Sequence, residues 1–462
     1  MQMIKSKEEW NKSVVIPQRY VACVFAFFAV VSSYTMRGCL NIAITQIVKR
    51  RSGSVVESEC TVTSAPVENK DSTYEWEPEQ IATVLTSFYY GYVPSHVPGG
   101  FLSDVYGAKK VLGCCIIVSA ISSALTPIAI TTGSWRFLCV LRAMMGLVQG
   151  PLFPAAATLL AKWIPKSERG RAGTWVYTGA QVGSIFGNSV SGFIMGYLNS
   201  WKLTFYFWAA VSVVWIITAE FWLFSEPSQH PHITDDEKQM LMREIGATER
   251  LSVPWKAMLT DSASIACISG WCGHAIQFYY LTTNLPMYLK DVLNFNVIEN
   301  GIFNSIPYII LWIFASVTAV FSDMAINRNW ISLINSRRIF TFFGNVAPAA
   351  ALVGAGLVGC NRELAIIMII LSTALQAPVY CSVRVNVLDL TKNYAGILTA
   401  FVNGIGALVY YPVPYLIATV AKDNKIQSWV LLFEIMCSMT VFFTIIFVIW
   451  VSGEKASWDE IE

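Results

Sequence analysis

Long apolar runs recur along nearly the whole chain, and they leave few options for its fold. A bilayer core needs about 20 predominantly apolar residues per helix, and about twelve such runs can be drawn here. Composition agrees: 55% of residues are hydrophobic and 13% are charged, against about 25% charged in an ordinary soluble chain. The first half supplies runs near 20–48, 80–103, 111–130, 135–163, 172–197 and 203–224. A polar stretch, 225–261, follows. The second half supplies runs near 262–289, 298–321, 338–358, 363–383, 394–420 and 429–451. This layout predicts an all-α membrane protein with about twelve membrane-spanning helices in two six-helix bundles. The division is a tail at 1–19, a bundle at 20–224, a linker with a surface helix at 225–261, a bundle at 262–451 and a tail at 452–462.

Orientation follows basic residues near span ends. The amino-terminal tail carries Lys5, Lys7, Lys12 and Arg19 and lacks a signal-peptide cleavage pattern, so the first span is expected to stay and both termini to lie in the cytoplasm. Lys109, Lys110, Lys166, Arg169, Arg171, Arg328, Arg337 and Arg338 then fall inside; Lys49, Arg50 and Arg51 fall outside and oppose this reading. Most of the 11 cysteines sit in spans as small apolar residues. Cys60 and Cys360 fall in outer loops, where an oxidising compartment would permit a disulfide. The sequon Asn11-Lys12-Ser13 lies on the inner side, away from glycosylation. A net charge of +2 gives no reason to expect a nucleic-acid partner.

Between the second and third runs stands GGFLSDVYGAKK, Gly99 to Lys110. Gly100, Asp104, Gly107, Lys109 and Lys110 form a charged turn too short to be a slack link, which suggests a conformational latch. The second half echoes it loosely, with Asp323 and then Arg337-Arg338. Gly179, Gly183, Gly187, Gly192 and Gly196 give the fifth span a face of small residues for close helix approach, as static packing or as a site of motion. Gly146, Gly150, Pro151 and Pro154 in the fourth span, and Gly396, Gly404, Gly406, Pro412 and Pro414 in the eleventh, allow close contact and bending.

An ionised side chain at the bilayer centre costs at least ~2.5–3.5 kcal/mol, so it persists where it faces a cavity or a partner. Arg37 in the first span and Arg142 in the fourth are bounded by apolar residues, with no acid one helical turn away. Each either offers a forked, charge-assisted site to an anionic substrate or pairs with a carbonyl or a distant acid. Tyr89, Tyr90, Asn284 and Gln376 are candidate polar groups of a cavity. Arg384 is read as lying near the inner end of the tenth span, where it can snorkel.

The latch reads as the loop signature of the major facilitator transporters. The run Tyr34-Thr35-Met36-Arg37-Gly38-Cys39-Leu40-Asn41 further resembles the first span of the anion:cation symporters in that superfamily, the group of sialin, the vesicular glutamate transporters and the sodium/phosphate cotransporters. Trp76-Glu77-Pro78-Glu79, Ser87 to Tyr92, Arg142 to Gly150, Pro286-Met287-Tyr288, Glu299-Asn300-Gly301 and Asn386-Val387-Leu388-Asp389 extend the resemblance over about residues 15–455. The chain is most similar to invertebrate members labelled inorganic phosphate cotransporters. The resemblance implies cation-coupled symport of phosphate or an organic anion, with sodium or a proton as the coupling ion, no other cofactor and a monomeric state, in the plasma membrane or an intracellular vesicle or lysosome membrane. It also implies that Arg37 and Arg142 handle the anion.

The departures bear on coupling. Gln149 stands where many members have an acid tied to protons, Leu85 and His274 replace a histidine and an arginine of the vesicular glutamate transporters, and Val387 replaces a usual histidine. Gln149 cannot release a proton. His274 and Glu434 are the alternative coupling candidates, each with a plainer reading as a buried histidine or an interfacial acid. The segment 230–250 predicts an inner surface helix from Thr234. His230 and His232 lack the companions and spacing of a metal site. A transport-inactive anion sensor with the same fold is the second reading. An enzyme is not expected, since no nucleophile–base pair appears at helical spacing.

Overall fold

The computed structural model describes residues 17–48, 74–165, 168–245, 253–391, 394–421 and 425–459. Among them, β pairing is limited to one isolated bridge between Val48 and Tyr74. The rest is helix and its connections. The first six spans are Gln18–Ile47, Pro78–Tyr106, Ala108–Thr131, a broken fourth made of Trp135–Gln149 and Leu152–Trp163, Arg169–Leu198 and Trp201–Trp222. The seventh runs from Ser262 through a π-helical turn, Tyr280–Asn284, to Asp291. Val297–Asn327 and Leu333–Leu357 are the eighth and ninth. The tenth is broken into Arg362–Leu375 and Pro378–Leu390. The eleventh is broken into Ala395–Gly406 and Pro412–Val420, and Ile426–Trp450 is the twelfth.

Local chemistry sets the starts. Glu77 and Gln80 form a capping box ahead of Pro78, and Asn296 and Glu299 form another at the eighth span. Each satisfies backbone donors that a helix end otherwise leaves open, worth ~1 kcal/mol. Asp261 accepts from the Ser264 backbone N–H at 2.9 Å and opens the seventh span.

Nine of the described spans are long and apolar enough to cross a membrane by length and composition alone. The second, fifth and seventh fall short, which corrects the expectation that every run meets that requirement. The reason is their position. Each bonds across the two halves: Tyr90 to Tyr415 from the second span, Ser305 to the Ile185 carbonyl of the fifth, and Asn41 to the Thr282 carbonyl of the seventh. A helix that faces protein on both sides can carry small and polar residues that a lipid-facing one cannot. Lipid-facing character is carried elsewhere, by exposed Phe221, Val320, Phe442 and Ile449.

The buried core separates into four clusters, two in each half, one toward each membrane face. We call the face where the first span begins the terminal face and the opposite one the distal face. The distal cluster of the first half takes in Tyr279 and Val413 from the second half; the two terminal clusters do not mix. The hydrogen bonds between halves follow suit. Tyr90–Tyr415 (3.0 Å), Tyr411 to the Tyr89 carbonyl (3.0 Å), Asn41 to Thr282 (2.7 Å) and Lys290 to the Thr45 carbonyl lie toward the distal face. Ser305 to Ile185 (3.0 Å) lies near mid-height. Among the described residues none joins the spans of the two halves at the terminal face. The described hydrogen bonds between the halves thus gather toward the distal face and mid-height.

Near the terminal face, Thr234 caps the helix Asp235–Ile245, as its sequence predicts. Its Glu237 accepts from the backbone of Gln18 and Arg19 in the first half. The carboxyl tail docks on the tenth span, through Thr391 to Asp459 (2.5 Å) and the Ala456 N–H to the Leu390 carbonyl (2.9 Å).

Candidate functional site

The site is built by close helix contact. Gly179 and Gly183 of the fifth span press on the first: a Cβ at Gly183 would lie 2.7 Å from the Val31 carbonyl oxygen. Farther along the same helix, Gly192 and Gly196 meet Val297 and Ile298 of the eighth span instead, so the row of glycines serves two partners. Between the second and fourth spans, Gly146 meets the Phe88 carbonyl with no room for a methyl. These approaches bring Arg37, Arg142 and the aromatic run of the second span together.

Arg37 donates from Nη2 to the Tyr89 hydroxyl at 2.7 Å. Its guanidinium carbon also lies over four rings: Phe88 at 4.5 Å, Tyr89 at 5.0 Å, Tyr92 at 5.3 Å and Tyr34 at 5.4 Å. Arg142 is 4% exposed and donates from Nη1 to the Arg37 backbone carbonyl at 3.3 Å, with its guanidinium 5.2 Å from the Phe88 ring. Its Nε has no partner. No carboxylate lies within ion-pair distance of either arginine among the described residues. Ring faces offset part of the cost of a buried cation, but two cations side by side still repel. An anion between them would relieve both penalties.

Tyr279 of the seventh span and Tyr410 of the eleventh close the cage from the other half, 5.3 and 4.6 Å from the Tyr89 ring. Aromatic residues in an apolar span look like core, so nothing in the sequence marks these two. Gln149 lies two turns beyond Arg142 and donates to Ser119 Oγ (3.1 Å) and the Ser33 carbonyl (3.4 Å). His96 belongs to the same neighbourhood, buried against Tyr92 with Nδ1 unpartnered. Sequence reasoning missed it, although a histidine in an apolar run is the signal that singled out His274.

Several candidates fall elsewhere. His274 is 1% exposed and its Nε2 lies 3.2 Å from the Tyr380 hydroxyl, away from the arginine pair. Asn284 ends the π turn and is buried with its amide nitrogen unpartnered, making no hydrogen bond to the cage. Tyr90 belongs to the distal contacts between the halves, stacking on Tyr411 at 5.2 Å. Gln376 sits buried at the break of the tenth span. Glu434 is exposed on the twelfth span. Arg384 lies near the end of the tenth span, as read from the sequence, and over the Trp271 and Tyr380 rings at 4.6 and 5.0 Å.

The latch residues bond within their own half. Gly107 joins the second and third spans at φ 89°, a left-handed conformation that favours glycine. Lys109 Nζ meets the Glu220 carbonyl at 2.8 Å and its carboxylate at 3.4 Å. Thr158 reaches Asp104 at 3.5 Å, Gly100 packs toward Pro154, and Lys110 is exposed. In the second half Arg337 pairs with Asp389 at 2.8 Å rather than with Asp323, which is exposed. Arg337 is the better-fixed partner because it also donates to the Cys381 carbonyl. Cys360 is disulfide-bonded, while nine other cysteines are free thiols. Its expected partner, Cys60, lies outside the described residues, as do Lys49, Arg50 and Arg51.

Residues 26–414 match the profile of the Major Facilitator Superfamily. The chain belongs to that superfamily. Within it, the chain is 32% identical to human sialin, with 95% of this chain and 90% of sialin covered. It is 31% identical to a Drosophila melanogaster protein named "Putative inorganic phosphate cotransporter" (96% and 87% covered) and 26% identical to human vesicular glutamate transporter 2 (97% and 76%). Among solved structures, a bacterial homologue of the human lysosomal transporter Spinster, inward-facing and unoccupied, superposes with a TM-score of 0.68 at 11% identity, covering 96% of this chain and 99% of that one. A D-xylose-proton symporter gives 0.66 at 13% identity (95% and 98% covered). These likenesses bear on the fold alone. This member of the superfamily is thus an integral membrane transporter and not an enzyme, with twelve helices in the expected order.

Proposed function

We propose that this chain carries a small anion, phosphate or an organic anion, across a membrane by alternating access in symport with a cation. The observation that carries the reading is the arginine pair: buried Arg142 and half-buried Arg37 in an aromatic cage, without a carboxylate among the described residues, at the meeting of the two halves. The names of the relatives support the substrate class, since they include a phosphate cotransporter and a glutamate transporter. An anion bridging Arg37 and the second-half tyrosines would pull the halves together, and a co-transported sodium ion or proton would offset its charge and let it leave.

The terminal face is assigned to the cytoplasm. It carries Lys109, Lys110, Lys162, Arg328, Arg337 and Arg338. The disulfide at Cys360 suits an oxidising compartment on the distal side. Protease protection of tags at both ends in intact cells tests this; cleavage from outside would reverse it. The working unit is taken as a monomer, in the plasma membrane or a vesicle membrane.

The test is uptake of labelled phosphate, sialic acid, urate and glutamate into proteoliposomes under separate sodium and proton gradients, with Arg37→Ala as control. Gradient-driven flux of one anion, lost in the variant, is the expected result. A second reading, a transport-inactive anion sensor, is favoured by Gln149, whose amide only donates to Ser33 and Ser119 and cannot carry a proton. Binding without flux under either gradient would select it.

A further inference from the structure

Arg384 stands apart from the arginine pair. It lies within the last two turns of the tenth span, ~9 Å from the helix end at Leu390, whereas Arg37 lies ~28 Å in from the start of the first span at Gln18. The two arginines therefore occupy different heights and different halves. Arg384 is exposed. It lies within electrostatic reach of Tyr34 in the first span and Tyr177 in the fifth, both in the opposite half. An arginine turned to lipid headgroups would not be.

Its surroundings are ordered. The guanidinium carbon is 4.6 Å from the Trp271 ring and 5.0 Å from Tyr380. Trp271 is wedged by Gly406 of the eleventh span, where a side chain would strike its ring. Tyr380 is fixed through its hydroxyl to His274 Nε2 at 3.2 Å. His274 Nδ1, in the same buried cluster, has no partner. Arg384 makes no hydrogen bond and has no carboxylate within ion-pair distance among the described residues. Rings hold the face of a guanidinium and leave its N–H edge for forked bonds to a carboxylate or oxyanion. Tyr34, whose ring lies 5.4 Å from the Arg37 guanidinium carbon, lies within electrostatic reach of Arg384 as well.

We propose that Arg384, seated on Trp271 and Tyr380, is a second anion station on the second half, which receives a carboxylate or oxyanion at the terminal mouth and passes it to or from Arg37. The station rests on the anion-transport reading, and the experiment separates the two. Wild type, Arg384→Gln, Arg384→Lys and Arg37→Ala are reconstituted in oriented proteoliposomes, and KM is measured with labelled phosphate, sialic acid and glutamate applied to each face in turn. Arg384→Gln is expected to raise KM about tenfold from the terminal face, about 1.4 kcal/mol, and to change it less than twofold from the distal face. Arg384→Lys should fall between, since it keeps charge without the planar fork. The series is repeated in phosphatidylcholine alone. A shift that persists there assigns the station to the substrate; one that vanishes means an anionic lipid headgroup occupies Arg384 and overturns the proposal. Equal KM at both faces for Arg384→Gln, with Arg37→Ala inactive, overturns the station and leaves the transport reading intact. No flux of any anion in wild type overturns both.

Discussion

Arg142 reaches past the side chain of Arg37 and bonds its backbone carbonyl, at 3.3 Å. The fourth span thereby fixes the height of the first, while the Arg37 guanidinium stays free to meet the tyrosine cage. Loss of Arg142 removes both a charge and a positioning bond. Hydrogen bonds to charged groups contribute about 1.5–3 kcal/mol, so Arg142→Ala should lower kcat/KM for anion uptake about 10- to 100-fold. Uptake within twofold of wild type would show that Arg142 is only structural padding.

The contact between the second and fourth spans leaves no room at Gly146. Gly146→Ala must push the Phe88 backbone away, an overpacking cost of about 1–3 kcal/mol. A lower unfolding temperature in detergent, together with weaker uptake from displacement of Tyr89 and Tyr92, is the expected pair of effects. An unchanged unfolding temperature would mean that the helices part without cost.

The terminal end of the second half depends on Arg337 and Asp389, and not on the Asp323 that the loop pattern suggests. Asp389→Asn leaves Arg337 buried without its charge partner, which in buried pairs costs about 3–5 kcal/mol; partial exposure of Asp389 places the effect at or below the low end. Asp323→Asn should be neutral. Thermal unfolding of the two variants side by side decides it, and equal losses would contradict the assignment.

These cases show what the sequence could and could not disclose. Arg37 and Arg142 were legible because a charge in an apolar run is expensive wherever it points. Spans and linker were legible from hydropathy, and the Thr234 helix start from its cap. Tyr279 and Tyr410 were not, since a tyrosine in a span has the same signature whether it packs or lines a cage. Arg384 was legible as lying near the end of the tenth span, but its seat on Trp271 and Tyr380 was not, because distance along a helix does not tell which rings a residue meets. The partner of Arg337 was missed because a pairing between the ninth and tenth spans leaves no local spacing.

Linker stability should depend on pH through His230. Burial against Trp163 and Phe224 lowers its pKa, with His232 acting in the same direction and Glu237 opposing. Its Nδ1 accepts from the His232 N–H at 3.1 Å, which requires that nitrogen to be unprotonated. The fold therefore favours neutral His230. Its contribution is full above the unfolded value of about 6.5 and is lost as pH falls through the lowered folded value. Hydrogen-exchange protection factors over 225–245, referred to the intrinsic exchange rate at each pH, should fall between pH 7.5 and 5 in wild type. His230→Phe should flatten that response, and an identical pH response in the variant would remove His230 from the account.

The breaks in the fourth and tenth spans fall at matching places. The fourth is divided into segments of 15 and 12 residues around Gly150-Pro151, the tenth into 14 and 13 ahead of Pro378. The two helices hold the same rank in their halves, so the molecule contains its own experimental control. A substitution at Pro151 can be judged against its counterpart at Pro378 in an identical lipid, preparation and assay. What differs between the two outcomes then belongs to the particular half that carries the change, and what they share belongs to the mechanics of the bend.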